Sequence, residues 1–204
     1  IWPHSPRISP QGDLVAFTWE GDLWLGSIDG GRARRLTDHP SWESDPVWSP
    51  DGKQIIFSST REGSRDIWSI PSAGGTPQQL TWWSGTDRPS DWFPGTRSVL
   101  MSSDRVDSWK RGGARLYKLN LPDQESKALE PQRLSLASAS SARISPSGRE
   151  LLVTRWGVGM TRQGYEGSMA TQIWHFKLET GEWKQLTPTN LDHRHPCWIT
   201  DDQF

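Results

Sequence analysis

Short apolar runs alternate with turn-forming clusters along this chain, most plainly between residues 46 and 81, which read PVWSPDGKQIIFSSTREGSRDIWSIPSAGGTPQQLT. Residues 46–49 form a first run of strand character. The tetrapeptide Ser49-Pro50-Asp51-Gly52 follows, in which Pro pre-sets the first turn angle and Gly tolerates positive φ. Residues 54–59 carry Ile55, Ile56 and Phe57, the β-branched and aromatic types that suit a pleated, half-buried surface. Residues 61–65 read as a loop, 66–70 as a third run and Ser72-Ala73-Gly74-Gly75 as a turn, with a fourth run at 77–81. Four strand-length runs joined by tight turns predict an antiparallel meander. A lone meander cannot bury both of its faces, so it needs neighbours like itself.

The chain supplies them. The same template fits residues 6–45, 46–88, 89–141 and 142–194, and a new start occupies 195–204. The first-turn prolines are Pro10, Pro50, Pro94 and Pro146, at steps of 40, 44 and 52 residues. Leu36, Leu80, Leu134 and Leu186 mark the fourth run, and Trp24, Trp68, Tyr117 and Trp174 the third. Four strands per unit at this period predict an all-β fold: a β-propeller of four-stranded antiparallel blades, with four blades and the start of a fifth. The recurring aromatics are expected to pack between neighbouring blades, where sheet-on-sheet contact needs large apolar area. Loop lengths divide the two faces. The first turns stay short (SPQG, SPDG, FPGT, SPSG), whereas the loop between second and third strands grows from Glu20-Gly21 to residues 157–170. Loops lengthen where they carry function, so the first-turn face reads as scaffold and the opposite face as the working side.

Composition sharpens this. Glycine (19 residues) and proline (15) fall between the apolar runs, so they are turns rather than disorder. No stretch carries apolar residues at helical spacing for three turns. A formal net charge of −1 argues against nucleic acid or an anionic membrane as partner. No apolar run approaches the length of a membrane span. Cys197 is the one cysteine, which excludes an intrachain disulfide and a cysteine zinc cage. The chain opens on Ile1, so it is expected to be a piece of a longer protein. A cytoplasmic site is expected, with the periplasm as the alternative.

Few constellations suggest catalysis. A Gly-x-Ser-x-Gly elbow, a His-Glu-x-x-His helix, a phosphate loop and a dinucleotide fingerprint are all missing from the sequence. In Gly164-Tyr165-Glu166-Gly167-Ser168 the serine falls after the second glycine, not between the two. Asp192-His193-Arg194-His195 gathers metal-ligand types, but no third ligand is evident and Arg194 disfavours a cation, so a solvated link between blades is expected. The working side is rich in arginine and aromatic groups: Arg61, Arg65, Trp82, Trp83, Arg88, Arg105, Trp109, Arg111, Arg155, Trp156, Arg162 and Tyr165. Arginine forks bind carboxylates and aromatic faces suit peptide chains, so these residues are candidate contacts for an acidic or C-terminal carboxylate ligand. The competing expectation is that Asp87, Asp104, Asp107 and Glu166 neutralise the arginines locally. Sugar binding stays open, and base stacking fits a near-neutral chain less well.

The string PRISPQGDLVAFTWEGDLWL, followed by RRLTDHPSWESDP and by the second repeat, resembles the N-terminal propeller of tricorn-type proteases. The Tyr-Glu-Gly-Ser insertion before TQIWHFKLETGEWKQLT resembles the same family at the corresponding blade. The resemblance covers nearly all of the chain, although the SPDG repeat is shared with TolB-type propellers and with propellers of prolyl-oligopeptidase relatives. It implies a six-bladed propeller, for which four blades and a fragment are short by nearly two. It also implies further domains in the same chain (a second propeller, a PDZ-like domain and a serine peptidase), and a homo-oligomer. The implied role is to bind and gate peptides or unfolded polypeptide rather than to do chemistry. None of the peptidase motifs occurs here, so no catalytic residue is carried over, and no cofactor or metal is expected. A TolB-type protein-interaction propeller and the propeller of a prolyl-oligopeptidase-type hydrolase are the alternatives.

Overall fold

The computed structural model describes residues 2–105, 113–121, 130–135, 137–155, 170–188 and 191–204. Every regular element among them is a β-strand. The first sheet holds β1 (His4–Ile8), β2 (Leu14–Trp19), β3 (Asp22–Ser27) and β4 (Arg34–Arg35). The second holds β5 (Glu43–Trp48), β6 (Gln54–Glu62), β7 (Ser64–Pro71) and β8 (Gln78–Gln79). The third holds β9 (Asp87–Trp92), β10 (Ser98–Ser103), β11 (Arg115–Asn120) and β12 (Gln132–Arg133). The fourth holds β13 (Ser141–Ile144), β14 (Glu150–Arg155), β15 (Gln172–Lys177) and β16 (Trp183–Gln185). Each sheet is an antiparallel meander in chain order, so the four are propeller blades.

The blades are built from two repeated local devices. In the first turn the backbone reverses on a glycine at positive φ: Gly12 (77°), Gly52 (71°), Gly95 (63°) and Gly148 (76°). In three blades the serine before proline ties the turn from both sides. Ser49 accepts the Gly52 N–H on its carbonyl (2.9 Å) and the Gln54 N–H on its hydroxyl (2.9 Å); Ser9 and Ser145 do the same. The second device explains the Leu-Thr pair. Only two or three residues of the outer strand pair with the third strand, after which the leucine N–H returns to it: Leu36 to Leu23, Leu80 to Ile67, Leu134 to Leu116, Leu186 to Ile173. The threonine then turns inward. Its hydroxyl accepts the N–H of Leu23, Ile67 or Ile173 at 2.9 Å in blades one, two and four.

Packing follows period-2 alternation. Trp48, Phe57, Trp68 and Ile70 of blade two face Ala16, Leu23 and Leu25 of blade one. Val47, Ile56 and Ile67, on the other face of blade two, meet Trp92, Val99, Met101 and Tyr117 of blade three. Phe93, Leu100 and Leu116 then meet Ala142, Ile144, Leu151 and Phe176 of blade four. Trp68 and Tyr117 are buried between blades as expected, and Trp174 packs partly buried against the third of these cores. Trp24 takes the corresponding face of blade one, turned away from blade two, where its ring meets Trp19 edge-on at 5.1 Å.

Two expectations are corrected. Residues 61–65 are not a loop: β6 and β7 continue to the pair Glu62–Ser64, because Gly63 (φ 94°) closes the hairpin and a bulge after Ser59 absorbs the extra residues. The first strands begin two or three residues earlier than residues 46 and 89, at Glu43 and Asp87. Residues 195–204 form no strand, yet they repeat the inner-strand geometry. His195 before Pro196 has φ 57°, like Ser5 before Pro6 (51°) and Asp45 before Pro46 (55°). Trp198 donates its indole N–H to the Arg143 carbonyl at 3.0 Å, as Trp48 does to the Arg7 carbonyl at 2.9 Å.

Candidate functional site on the propeller axis

The first strand of each blade lies innermost, and β1, β5, β9 and β13 are successive neighbours. Together with residues 197–198 they surround a cavity of about 670 Å³ at the first-turn end of the axis, rimmed by Pro10, Pro94 and Pro146. One column of the repeat supplies its polar lining. Two residues before each first-turn proline or its counterpart stands Ile8, Trp48, Trp92, Ile144 or Trp198. The residue before each of these is Arg7, Val47, Asp91, Arg143 or Cys197.

Asp91 reaches across to the next blade. Its Oδ2 accepts the Ile144 N–H at 3.1 Å, and its Oδ1 accepts the Trp92 N–H at 2.9 Å. Burial pushes its carboxyl above the ordinary range, opposed by the charge of Arg143 and these N–H donors. Arg143 returns a hydrogen bond from Nη1 to the Ser90 carbonyl and a longer one, 3.4 Å, to Ala142. Burial, and then the charge of Arg7, pull Arg143 down to about 10. Arg7 is also lowered by burial, against the opposing charges of Asp91 and Asp45. Among the described residues no carboxylate lies within ion-pair distance of Arg7 or Arg143.

The arginines singled out on the other face sit differently. Arg61 pairs with the fully buried Glu43 of its own blade and lies over the Trp68 ring at 4.7 Å. Burial raises the Glu43 carboxyl, with the Thr37 hydroxyl and Arg61 opposing. Arg105 repeats the arrangement in blade three, pairing with buried Asp87 at 2.5 Å and lying over Trp83 at 5.3 Å. Arg155 occupies the same place in blade four. It lies over Trp174 and Trp183 at 4.7 and 5.0 Å, and its Nε donates to the Ser138 carbonyl at 3.0 Å. Each is a plug at the end of a second strand, engaged inside its blade. Asp104 binds Trp83 Nε1 (2.7 Å) and the Thr86 N–H (2.9 Å) rather than an arginine.

Trp82 and Arg88 are exposed, and Arg65 is half-buried. Arg65 donates to the Ser44 hydroxyl at 2.6 Å; burial and then the nearby charge of Arg88 lower it, with Asp45 opposing. Trp82 is 56% exposed. Trp109, Arg111, Trp156, Arg162, Tyr165 and the Gly164–Ser168 segment lie outside the described residues. In the Asp192–His195 cluster, Asp192 accepts from Arg194 (2.8 Å) and from the Thr171 N–H (2.9 Å), which ties the link to blade four. Among the described residues no group of three metal-ligand types converges.

Sequence reasoning overlooked Arg7, Asp91 and Arg143, although the repeat carried a signal. Aligned blade against blade, the column next to the constant apolar position changes between arginine, valine, aspartate and cysteine. A varying polar column beside a constant apolar one marks positions that the shared scaffold does not dictate.

Four successive four-stranded meanders, three of them with Ser-Pro-x-Gly first turns and Leu-Thr outer strands, define a β-propeller. Residues 4–204 match the tricorn protease N-terminal beta propeller domain, and the chain belongs to that family. It is 30% identical over 196 residues to tricorn protease homolog 1 of Streptomyces coelicolor, covering 94% of this chain and 18% of that protein. Among solved structures, it superposes on tricorn protease with a TM-score of 0.73 at 19% identity, over 93% of this chain and 18% of that one. TolB from Acinetobacter baumannii gives a TM-score of 0.73 at 20% identity, over 94% and 45%. The chain therefore spans under a fifth of the tricorn proteins that it matches.

Proposed function

We propose that this propeller is the non-catalytic, substrate-binding and gating part of a tricorn-like serine protease, and that extended or unfolded polypeptide contacts its axis. The observation that carries the reading is family membership over 4–204 together with an axial cavity lined by all the inner strands. A polypeptide entering there meets tryptophan and proline walls with a few polar groups among them, the lining that suits a peptide chain. Arg65, Arg88 and Trp82 offer a second contact area on the opposite face, and the homo-oligomer and further domains implied by the resemblance belong to this same proposal.

Cys197 lines the cavity, is exposed and is the sole cysteine of the sequence, so it reports on occupancy without engineering. The rate of its modification by a maleimide is expected to fall in the presence of a reduced, carboxamidomethylated polypeptide and to stay unchanged with a folded protein of equal size. Equal rates in all three conditions, with no change in the anisotropy of a labelled peptide, would overturn the reading.

A further inference from the structure

Two Asp-Gly dipeptides occur in the sequence, Asp29-Gly30 and Asp51-Gly52, and both stand in turns between strands. An aspartate followed by glycine is open to cyclisation, because glycine puts no side chain in the way as its nitrogen swings toward the carboxyl carbon. The fold treats the two differently. In the first turn of blade two, the Asp51 carboxylate accepts the Ser49 hydroxyl at 2.6 Å and the Lys53 N–H at 3.0 Å. These contacts, in that order, hold its carboxyl below the ordinary range, and the ionised form is the poorer electrophile. Gln11 of blade one caps the same turn: its Nε2 donates to the Asp51 carbonyl at 3.3 Å, and its side chain lies where a methyl on Gly52 would fall. Asp29 sits in the third turn of blade one, between β3 and β4, with residues 28–32 all exposed. Its N–H donates to the Ser27 hydroxyl at 3.2 Å, and no described residue donates a hydrogen bond to its carboxylate. Gly30 and Gly31 follow at φ 91° and 103°, and a methyl on either would meet open space. A neighbouring blade does not cover this position. Ala73 in blade two and Thr180 in blade four hold the matching place, each with the preceding blade beside it, and both are exposed. In blade two the neighbour's Arg34 takes the Ser72 and Ala73 carbonyls and leaves the Ala73 side chain in solvent.

We infer that Asp29 is a site of spontaneous modification, converting to isoaspartate through a succinimide, whereas the first turn of blade two protects Asp51. The lone pair of the Gly30 nitrogen forms a bond to the Asp29 carboxyl carbon as that nitrogen gives up its proton. The carboxyl hydroxyl leaves with a proton as water, which closes the ring. Water then adds to one of the two ring carbonyls. Breaking the original peptide bond leaves the chain running through the side-chain carbon, which is isoaspartate; breaking the new bond restores aspartate. The product adds one backbone carbon to the turn that leads into β4, whose Arg34 holds the Ser72 and Ala73 carbonyls of blade two. The modification therefore loosens a contact between the outer strands of two blades. The inference is independent of the peptide-binding reading.

The test uses the full-length protein, kept folded at neutral pH in heavy-oxygen water and sampled over days by peptide mapping. The peptide containing Asp29 is expected to split into two species, both carrying heavy oxygen. The new one should resist a protease that cuts before aspartate and should be methylated by an isoaspartate-specific carboxyl methyltransferase. The Asp51 peptide should react at least about tenfold more slowly, the factor that one hydrogen bond to a charged group is worth. In guanidinium, where both turns are lost, the two rates should converge. Asp29→Glu, which would have to close a larger ring, should stay unmodified at that position. Ser49→Ala should speed the reaction at Asp51 and leave that at Asp29 unchanged. Should Ser49→Ala unfold, the comparison of folded with unfolded wild type decides alone. A folded protein that stays unmodified at Asp29 while the unfolded chain reacts there would overturn the inference, as would equal rates at Asp29 and Asp51 in the folded protein.

Discussion

The Leu-Thr pair that closes the outer strand of three blades gives a sharp test of how the repeat is held together. Thr81 is buried. Its hydroxyl accepts the Ile67 N–H at 2.9 Å and donates to Asp66 Oδ1 at 3.1 Å. Thr81→Val keeps the shape, so the cavity contribution is negligible and the loss is polar. The Ile67 N–H is left without its acceptor in a buried position, which costs about 1–3 kcal/mol. Asp66 keeps the Trp83 N–H on Oδ1 and the Ser64 hydroxyl on Oδ2, both at 2.8 Å, so its own loss is smaller, about 1 kcal/mol. The expected destabilisation is about 2–4 kcal/mol, or roughly 4–16 °C in Tm for a domain of this size. Urea and thermal unfolding followed by tryptophan fluorescence would read it. Two controls separate the hydroxyl from the site. Thr81→Ser keeps both hydrogen bonds and should cost about 1 kcal/mol or less. Ser135→Ala falls at the matching place of blade three, where residue 115 is arginine rather than aspartate and, among the described residues, the hydroxyl serves only the Ala137 N–H at 3.0 Å; it should also cost about 1 kcal/mol or less. A Thr81→Val protein within about 0.5 kcal/mol of wild type would refute the reasoning.

Phe57, fully buried between blades one and two, should cost about 3–5 kcal/mol on truncation to alanine, measured as a shift of the urea midpoint. Two glycines should answer in opposite directions to alanine. Gly12→Ala places a side chain at φ 77° in the first turn and should lose about 1–2 kcal/mol. Gly26→Ala sits at ordinary φ with its new methyl 3.7 Å from Phe17 and Val15, and should gain about 0.4–1 kcal/mol through the unfolded chain. The acid limb of stability should depend on Asp51, whose pKa is lowered first by the Ser49 hydroxyl and then by the Lys53 N–H. A depressed folded pKa contributes stability above the ordinary value of 3.8, lost as pH falls through the folded one, so Asp51→Asn should lose less stability below that pH. Glu43, Asp87 and Asp91 act with the opposite sign: their raised values favour the fold at low pH, and that contribution disappears as pH rises through the folded pKa.

The residues taken from the sequence as ligand contacts show where reading by residue type stops. Arg61 and Arg105 look alike in sequence and look available. The carboxylates that hold them, Glu43 and Asp87, stand 18 residues earlier at the start of the innermost strand. They meet because the second strand of the hairpin runs back to the level where the first began. Local pattern predicts the hairpin but not how far it extends, and the extension past Ser59 to the Glu62–Ser64 pair depends on a bulge. The face with the longer loops drew attention by length, whereas the axial cavity opens beside the short first turns, which looked like scaffold. A cavity shared by four strands and a fifth segment has no signature in any one of them.

The blade is legible in the chain alone. Proline and glycine at fixed offsets, period-2 apolar runs and the Leu-Thr pair are local physics, repeated often enough to name the architecture. Packing in three dimensions sets which faces of the blades meet, so that Phe57 and Trp68 face blade one while Ile56 and Ile67 face blade three. It also sets the charge pattern of the axis. Arg7, Asp91 and Arg143 are separated by 84 and 52 positions along the chain, and only the radial stacking of inner strands brings them to one cavity. Spacing along a chain fixes strands and turns, because those form between neighbours; it cannot fix which buried charge finds a partner, because that depends on which inner strands come together around an axis.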